Sequence, residues 1–118
     1  MFLIGIHSYP ATIAPGGSLS GPVAIGFDTL VGVSMPASWT TASITFQVSP
    51  DGGTTWQELY DGNGTAVSIT AAAGQFIQMT SYLWRGMNMF QIRSGTAAVP
   101  VVQTAGAVVT LIARPEFA

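Results

Sequence analysis

The clearest order in the chain is an alternation of apolar and polar positions. From Ser43 to Val48, Ile44, Phe46 and Val48 fall on one side and Ser43, Thr45 and Gln47 on the other. That period of two is what a half-buried β-strand requires. Asn88 to Ser94 repeats the pattern, with Phe90 and Ile92 predicted inward and Gln91 and Arg93 outward. Further short runs rich in apolar or β-branched residues are Phe2 to His7, Val23 to Phe27, Thr29 to Met35, Ala66 to Ile69, Gln75 to Met79 and Gly106 to Ala113. Proline and glycine bound them, and Pro10, Pro15 and Pro22 are each expected to interrupt a strand. After SPDGG, Thr54 to Tyr60 is predicted as a return strand, with Trp56 and Tyr60 on the face of Glu58 and Leu59 on the other. Only Thr80 to Gly86 reads as helical, a single turn with Thr80 or Ser81 as cap and Gly86 as stop.

About eight or nine short strands with frequent turn signals predict an all-β chain. The fold expected is an antiparallel β-sandwich forming one domain over residues 1–118. Jelly-roll topology comes first on strand count. An immunoglobulin-like sandwich is the alternative, without its Cys–Trp–Cys signature because the chain has no Cys.

Composition adds an expectation about surfaces. Only Arg85, Arg93, Arg114, Asp28, Asp51, Glu58, Asp61 and Glu116 are charged, 7% of 118 residues, where about 25% is usual. A free monomer ordinarily keeps charge on its surface, so this chain is expected to cover much of its own with other subunits. Three scattered arginines and a net charge of −2 argue against a nucleic-acid partner. No run approaches the ~20 apolar residues of a membrane span, and MFLIGIHSYP lacks the basic start and cleavage site of a signal peptide.

Candidate chemistry is sparse. His7 is the sole imidazole and no Ser lies in a G-x-S-x-G elbow. Asp51, Glu58 and Asp61 are close in sequence, and a hydrolase reading would use Glu58 or Asp51 as one of a carboxylate pair. Asp51 and Asp61 fall in turns, however, where Asp bonds backbone N–H groups. Asp61-Gly62-Asn63 places oxygens as a calcium loop does but lacks its closing Glu. No catalytic, cofactor or metal residue is assigned, and the chain is read as a non-enzyme. Trp39, Trp56 and Trp84 are the aromatic candidates. Trp39 and Trp84 are considered as sugar-stacking or interface contacts, against burial in a core.

Two resemblances enter here. SPDGGTTW matches the Asp-box pattern Ser-x-Asp-x-Gly-x-Thr-Trp at Ser49, Asp51, Gly53, Thr55 and Trp56. It resembles the structural turns of sialidase-type propellers, in which the Asp ties the backbone of a hairpin and the Trp packs beneath it. One copy in so short a chain implies a hairpin and not a propeller. The second resemblance runs over roughly residues 28 to 114. It is carried by Met35-Pro36 with Trp39-Thr40, by Ile44-Thr45-Phe46-Gln47 with SPDGGTTWQELYD, by Thr80 to Gly86, and by Gln91-Ile92-Arg93-Ser94-Gly95-Thr96 before a strand ending at Arg114. This order is similar to that of small virion structural proteins of tailed bacteriophages and prophages.

The resemblance implies a capsid decoration, cement or head-fibre protein on the virion surface, assembled in the bacterial cytoplasm. Its partners would be further copies of itself and the major capsid protein. Met1 to Pro10, Gly95 to Val101 and Arg114 to Ala118 are the contact segments expected, as termini and a loop able to reach neighbours. A glycan enters only on the alternative reading, a carbohydrate-binding or host-adhesion module of a head fibre or tail.

Overall fold

The computed structural model describes residues 5–115, with the backbone alone at residues 81 and 82. Nine strands follow in chain order: β1 (His7–Ile13), β2 (Val23–Ala24), β3 (Asp28–Ser34), β4 (Ile44–Val48), β5 (Gln57–Glu58), β6 (Ser68–Ile69), β7 (Phe76–Gln78), β8 (Met89–Ser94) and β9 (Ala107–Pro115). One sheet has the order β1-β9-β3-β7, the other β2-β8-β4-β5, with β6 also paired to β4. Every strand pairing is antiparallel.

Taking β5 and β6 as one interrupted strand, β1 pairs with β9, β2 with β8, β3 with β7, and β4 with β5/β6. This nesting, with successive strands passing from sheet to sheet except at the β4–β5/β6 hairpin, is the jelly roll. The chain is therefore an all-β antiparallel sandwich of the topology placed first, and the immunoglobulin-like order does not fit.

The alternation read from sequence sets the core. Ile44 and Phe46 of β4 and Phe90 and Ile92 of β8 are buried, facing Leu30, Val33, Val109 and Leu111 of the other sheet. Phe46 meets Trp84 edge-on with ring centroids 4.9 Å apart, and Phe90 at 6.5 Å. Such T-shaped contacts place a positive ring edge on a negative ring face.

Several expectations need correction. Pro10 does not break a strand but lies inside β1. β1 is at the sheet edge with β9 as its one neighbour, where a missing N–H is tolerated. Of the predicted strand over Phe2 to His7, residues 2–4 lie outside the described residues, Gly5 and Ile6 are not in a strand, and β1 begins at His7. Val23 to Phe27 shortens to Val23–Ala24 because Ile25 starts a turn, closed by the Asp28 N–H donating to the Ile25 carbonyl at 3.1 Å. The return strand over Thr54 to Tyr60 shrinks to Gln57–Glu58, since the preceding residues are held in a turn. Its parity holds, with Leu59 against the core and Glu58 on the outer side. The helical piece is a 3-10 turn, Ser81–Trp84, and Thr80 makes no side-chain cap bond.

The connections sort to two ends. The β1–β2, β3–β4, β6–β7 and β8–β9 loops gather at one, joined by bonds from Gly16 N–H to the Gln103 carbonyl and from Gly74 N–H to the Pro36 carbonyl. The β2–β3, β4–β5 and β7–β8 turns lie at the other, where Ile25 N–H bonds the Asn88 carbonyl and Ser49 N–H bonds the Met89 carbonyl.

Candidate functional site

The Asp-box residues build one turn. Ser49 is buried, and its hydroxyl donates to Asp51 Oδ1 at 3.0 Å and accepts from Gly53 N–H at 2.7 Å. Asp51 Oδ1 accepts from Thr55 N–H at 2.9 Å and Oδ2 from the Thr55 hydroxyl at 2.7 Å. Thr55, first through its N–H and then through its hydroxyl, holds the Asp51 carboxyl below its ordinary range. Gly53 takes a φ of 99°, which favours glycine, and a Cβ there would stand 3.1 Å from Met89 Cε, so the thioether would have to give by a few tenths of an ångström. Both Asp51 oxygens are thus committed to the hairpin, as the resemblance implies. Asp61 does the same for the next turn, its Oδ1 accepting from the N–H groups of Asn63 and Thr65 at 2.8 and 3.0 Å.

The strand after this turn brings Glu58 to Arg93, on the outer side of the five-stranded sheet. Arg93 donates from both terminal nitrogens to the two Glu58 oxygens, at 2.5 and 2.6 Å. Gln47 Nε2 donates to Glu58 Oε2 at 2.8 Å, and Arg93 also reaches Thr45 Oγ1 at 3.4 Å. Arg93 draws the Glu58 carboxyl below its ordinary range against the opposing effect of burial, with Gln47 assisting. A general acid needs the opposite shift. The hydrolase reading therefore loses both of its carboxylates, one to a turn and one to a bidentate ion pair.

The Arg93 side chain is 10% exposed and that of Glu58 29%. Glu58→Ala strands the guanidinium and is expected to cost about 2–3 kcal/mol in urea unfolding, somewhat under a fully buried pair. Replacing both residues by Met is expected to recover most of that loss, because no charge is then left unpaired.

Trp39 and Trp84 are not surface platforms. They are 6% and 5% exposed. Trp39 donates Nε1–H to the Ala42 carbonyl at 3.3 Å, and Trp84 packs against Phe46 and Phe90. Their rings are core, which corrects the sugar-stacking expectation for both. Trp56 differs. It is half-buried and stands outside the hydrophobic core cluster.

His7 enters a cluster that its position in the sequence does not announce. Its Nδ1 lies 2.5 Å from Asp28 Oδ2, the atom that also accepts the Tyr9 hydroxyl at 2.5 Å. His7 pairs across from Ala113 and Asp28 from Pro115. Both therefore share the parity of the inward-facing Tyr9, Ala11 and Leu30, at the end of the sandwich. Burial raises the Asp28 carboxyl, but the bonds from Tyr9 and His7 outweigh it and bring it below its ordinary range. The bond to Asp28, then burial, pushes the Tyr9 phenol up to about 12.

A pH dependence follows. Asp28 and Glu58 contribute stability that is present above about pH 4, the ordinary carboxyl range, and lost as pH falls through their lowered values. Tyr9 contributes stability present below about pH 10 and lost as pH rises from there toward its folded value. The melting temperature is expected to be level between these limits and to fall on both sides. Tyr9→Phe is expected to blunt the alkaline fall.

Sequence reasoning missed Gln103. It is fully buried. Its Oε1 accepts Thr40 N–H at 2.8 Å, and its Nε2 donates to the Thr40 carbonyl and to Ser94 Oγ, both at 2.8 Å. The amide thus pairs with Thr40 as a neighbouring strand would. The available signal was a lone Gln within the small and apolar run from Val99 to Ala107.

The described residues also form a groove of about 300 Å³ between Leu59, Val67 and the residues of the 3-10 turn. Leu83, Trp84 and Met87 line it, and Tyr60 and Asp61 edge it.

Comparison with family models, curated proteins and solved structures finds no match.

Among the described residues no group of three or more His, Asp or Glu side chains could hold a metal ion. What the molecule offers on its surface is a set of faces: an apolar and hydroxyl-rich sheet, a polar sheet, and an apolar groove.

Proposed function

We propose that the chain is a structural protein of a tailed-bacteriophage virion, decorating or cementing the capsid shell. The observation that carries this reading is the outer face of the four-stranded sheet. Pro10 and Thr12 of β1 share it with Val108, Thr110 and Ile112 of β9, by the register Pro10↔Thr110 and Thr12↔Val108. Phe76, 64% exposed, lies over Gly32 of β3, where a Cβ would stand 2.7 Å from its ring. Arg114 stands toward one end of β9, and the middle of the face is apolar groups and hydroxyls.

Docking such a face removes apolar area from water without desolvating ions, which is the costly step in burying a charged surface. The jelly roll is also an architecture that viral capsid domains use, and the order of sequence segments resembles that of virion structural proteins. The partner is then the major capsid protein, with further copies of the chain beside it on the shell.

Thr110→Lys tests the face. It places one cation at the centre, half-buried in the free chain, and surface substitutions of this kind change stability by about 0.5 kcal/mol or less. Co-sedimentation with capsids of the phage that encodes the chain is expected to fall at least about tenfold, the effect of a charge left buried and unpaired. Binding unchanged by the lysine, or no binding by the parent chain, counts against the proposal.

A second reading has one observation in its favour. Trp56 is half-buried, outside the core cluster, and two residues from Glu58, whose carboxylate joins the planar polar groups of Gln47 and Arg93. A ring next to placed hydrogen-bonding groups is what a pyranose requires. A glycan array is the measurement. Binding lost in Trp56→Ala would favour an adhesion module, and a blank array would end the idea.

A further inference from the structure

We infer that copies of this chain join head to tail, with Phe27 of one copy seated in the groove beside the 3-10 turn of the next. Phe27 is 91% exposed. An aromatic side chain carries roughly 150–250 Å² of surface, and Phe27 is the most exposed large apolar side chain among the described residues, so its exposure calls for a partner.

The turn that presents Phe27 is pinned on both sides. Ile25 is 2% exposed and rooted in the core. Asp28 is fixed by Tyr9 and His7, each at 2.5 Å, and its N–H closes the turn on the Ile25 carbonyl. A turn held this way loses little backbone freedom on docking, which is how preorganisation raises affinity, and only the Phe27 ring itself has still to be fixed. The His7–Tyr9–Asp28 cluster thereby gains a role as the base of a rigid apolar knob. Ile6, 70% exposed, adjoins it in sequence.

The groove fits the knob in size and chemistry. Its volume is about 300 Å³, and a cavity of about 150 Å³ suffices for benzene. Its floor and walls are Leu59, Val67, Leu83, Trp84 and Met87, with Leu83 63% exposed. Charge is complementary as well. Arg114, paired across from Thr29, stands near the knob, and Asp61 edges the groove. Asp28, the nearer acid, is turned into the cluster, where its carboxyl accepts the Tyr9 hydroxyl and contacts the His7 ring.

Knob and groove are different patches of the same chain. Made once per pair, their union is heterologous and propagates into a ring or an open array, and a parent chain that stops at a dimer would mean instead that the two patches exchange reciprocally about a two-fold axis, overturning the head-to-tail arrangement. Head-to-tail growth is the association a repeated shell component would use, although the contact itself does not require a virion.

Sedimentation equilibrium of the full chain over a concentration series tests this. The parent chain is expected to grow beyond a dimer. Phe27→Ser and Leu83→Glu are each expected to weaken association on the order of thirty-fold or more, the scale of a central hot-spot residue. Each variant retains one intact partner surface. Their equimolar mixture is therefore expected to form a 1:1 heterodimer that grows no further. Tyr60→Glu serves for the groove if Leu83→Glu does not melt cooperatively.

A parent chain that stays monomeric at its highest soluble concentration overturns the inference. So does a Phe27→Ser variant that assembles like the parent, whatever else then occupies the groove, or a mixture of folded variants that stays monomeric. Capsid co-sedimentation of Phe27→Ser separates the two proposals, since the virion reading survives if that variant binds shells but no longer self-associates.

Discussion

Gly95→Ala is expected to destabilise the protein by about 3–4 kcal/mol in urea unfolding, while Gly64→Ala costs about 1–2 kcal/mol. The two glycines have nearly the same backbone, with φ of 88° and 81°. Both therefore incur the left-handed penalty of a β-carbon, about 1–2 kcal/mol. They differ in their surroundings. A Cβ at Gly64 meets nothing within 4 Å, whereas at Gly95 it would stand 2.5 Å from the Val99 carbonyl oxygen and 2.7 Å from the Val101 nitrogen. Backbone cannot swing aside as a side chain can, so the loop must open. The bonds at risk are Gly95 N–H to the Ser43 carbonyl at 2.7 Å and the Thr45 hydroxyl to the Gly95 carbonyl at 2.8 Å. Equal losses in the two variants would show that the loop yields freely.

Gln103→Leu is expected to cost about 3 kcal/mol and to lower the melting temperature by roughly 10–15 °C. The substitution keeps the volume and deletes every side-chain hydrogen bond. Thr40 then loses partners for both its N–H and its carbonyl, and the fully buried Ser94 hydroxyl loses the amide that donates to it. At the fully buried Ser94, leaving the group unpaired costs more than the net worth of the bond, and the two bonds to Thr40 are lost besides. The damage is also directional, because Gln103 ties the β3–β4 loop to the β8–β9 loop. Hydrogen exchange at the Thr40 amide is expected to accelerate well beyond the change in global stability. A variant as stable as the parent would mean that the loops hold each other without the amide.

The contrast between these residues and the strands marks what the sequence carries openly. Ile44, Phe46, Phe90 and Ile92 were legible because strand periodicity is local and the core rewards it directly. The Asp-box turn was legible because its bonds span no more than four residues, from Ser49 to Gly53 and from Asp51 to Thr55. Pro10 misled because its effect depends on whether a strand lies at a sheet edge, which is a property of the assembled sheet. Gln103, His7 and Arg93 act through partners 63, 21 and 35 residues away, and no local pattern encodes such pairings. Trp39 and Trp84 were ambiguous for a related reason, since a tryptophan in a loop reads the same whether that loop folds inward or stands free. The pairing of strands into a jelly roll was legible only as a count. Its order appears once β9 is seen between β1 and β3, and β8 between β2 and β4.

The most direct test of the proposed structural role is electron microscopy of particles produced from the genome that encodes the chain. The expected result is density for this sandwich on the capsid exterior, repeated with the shell's symmetry, with the face bearing Thr110 and Phe76 turned toward the major capsid protein. Particles that lack the chain, or that carry it with that face turned to solvent, would contradict the proposal.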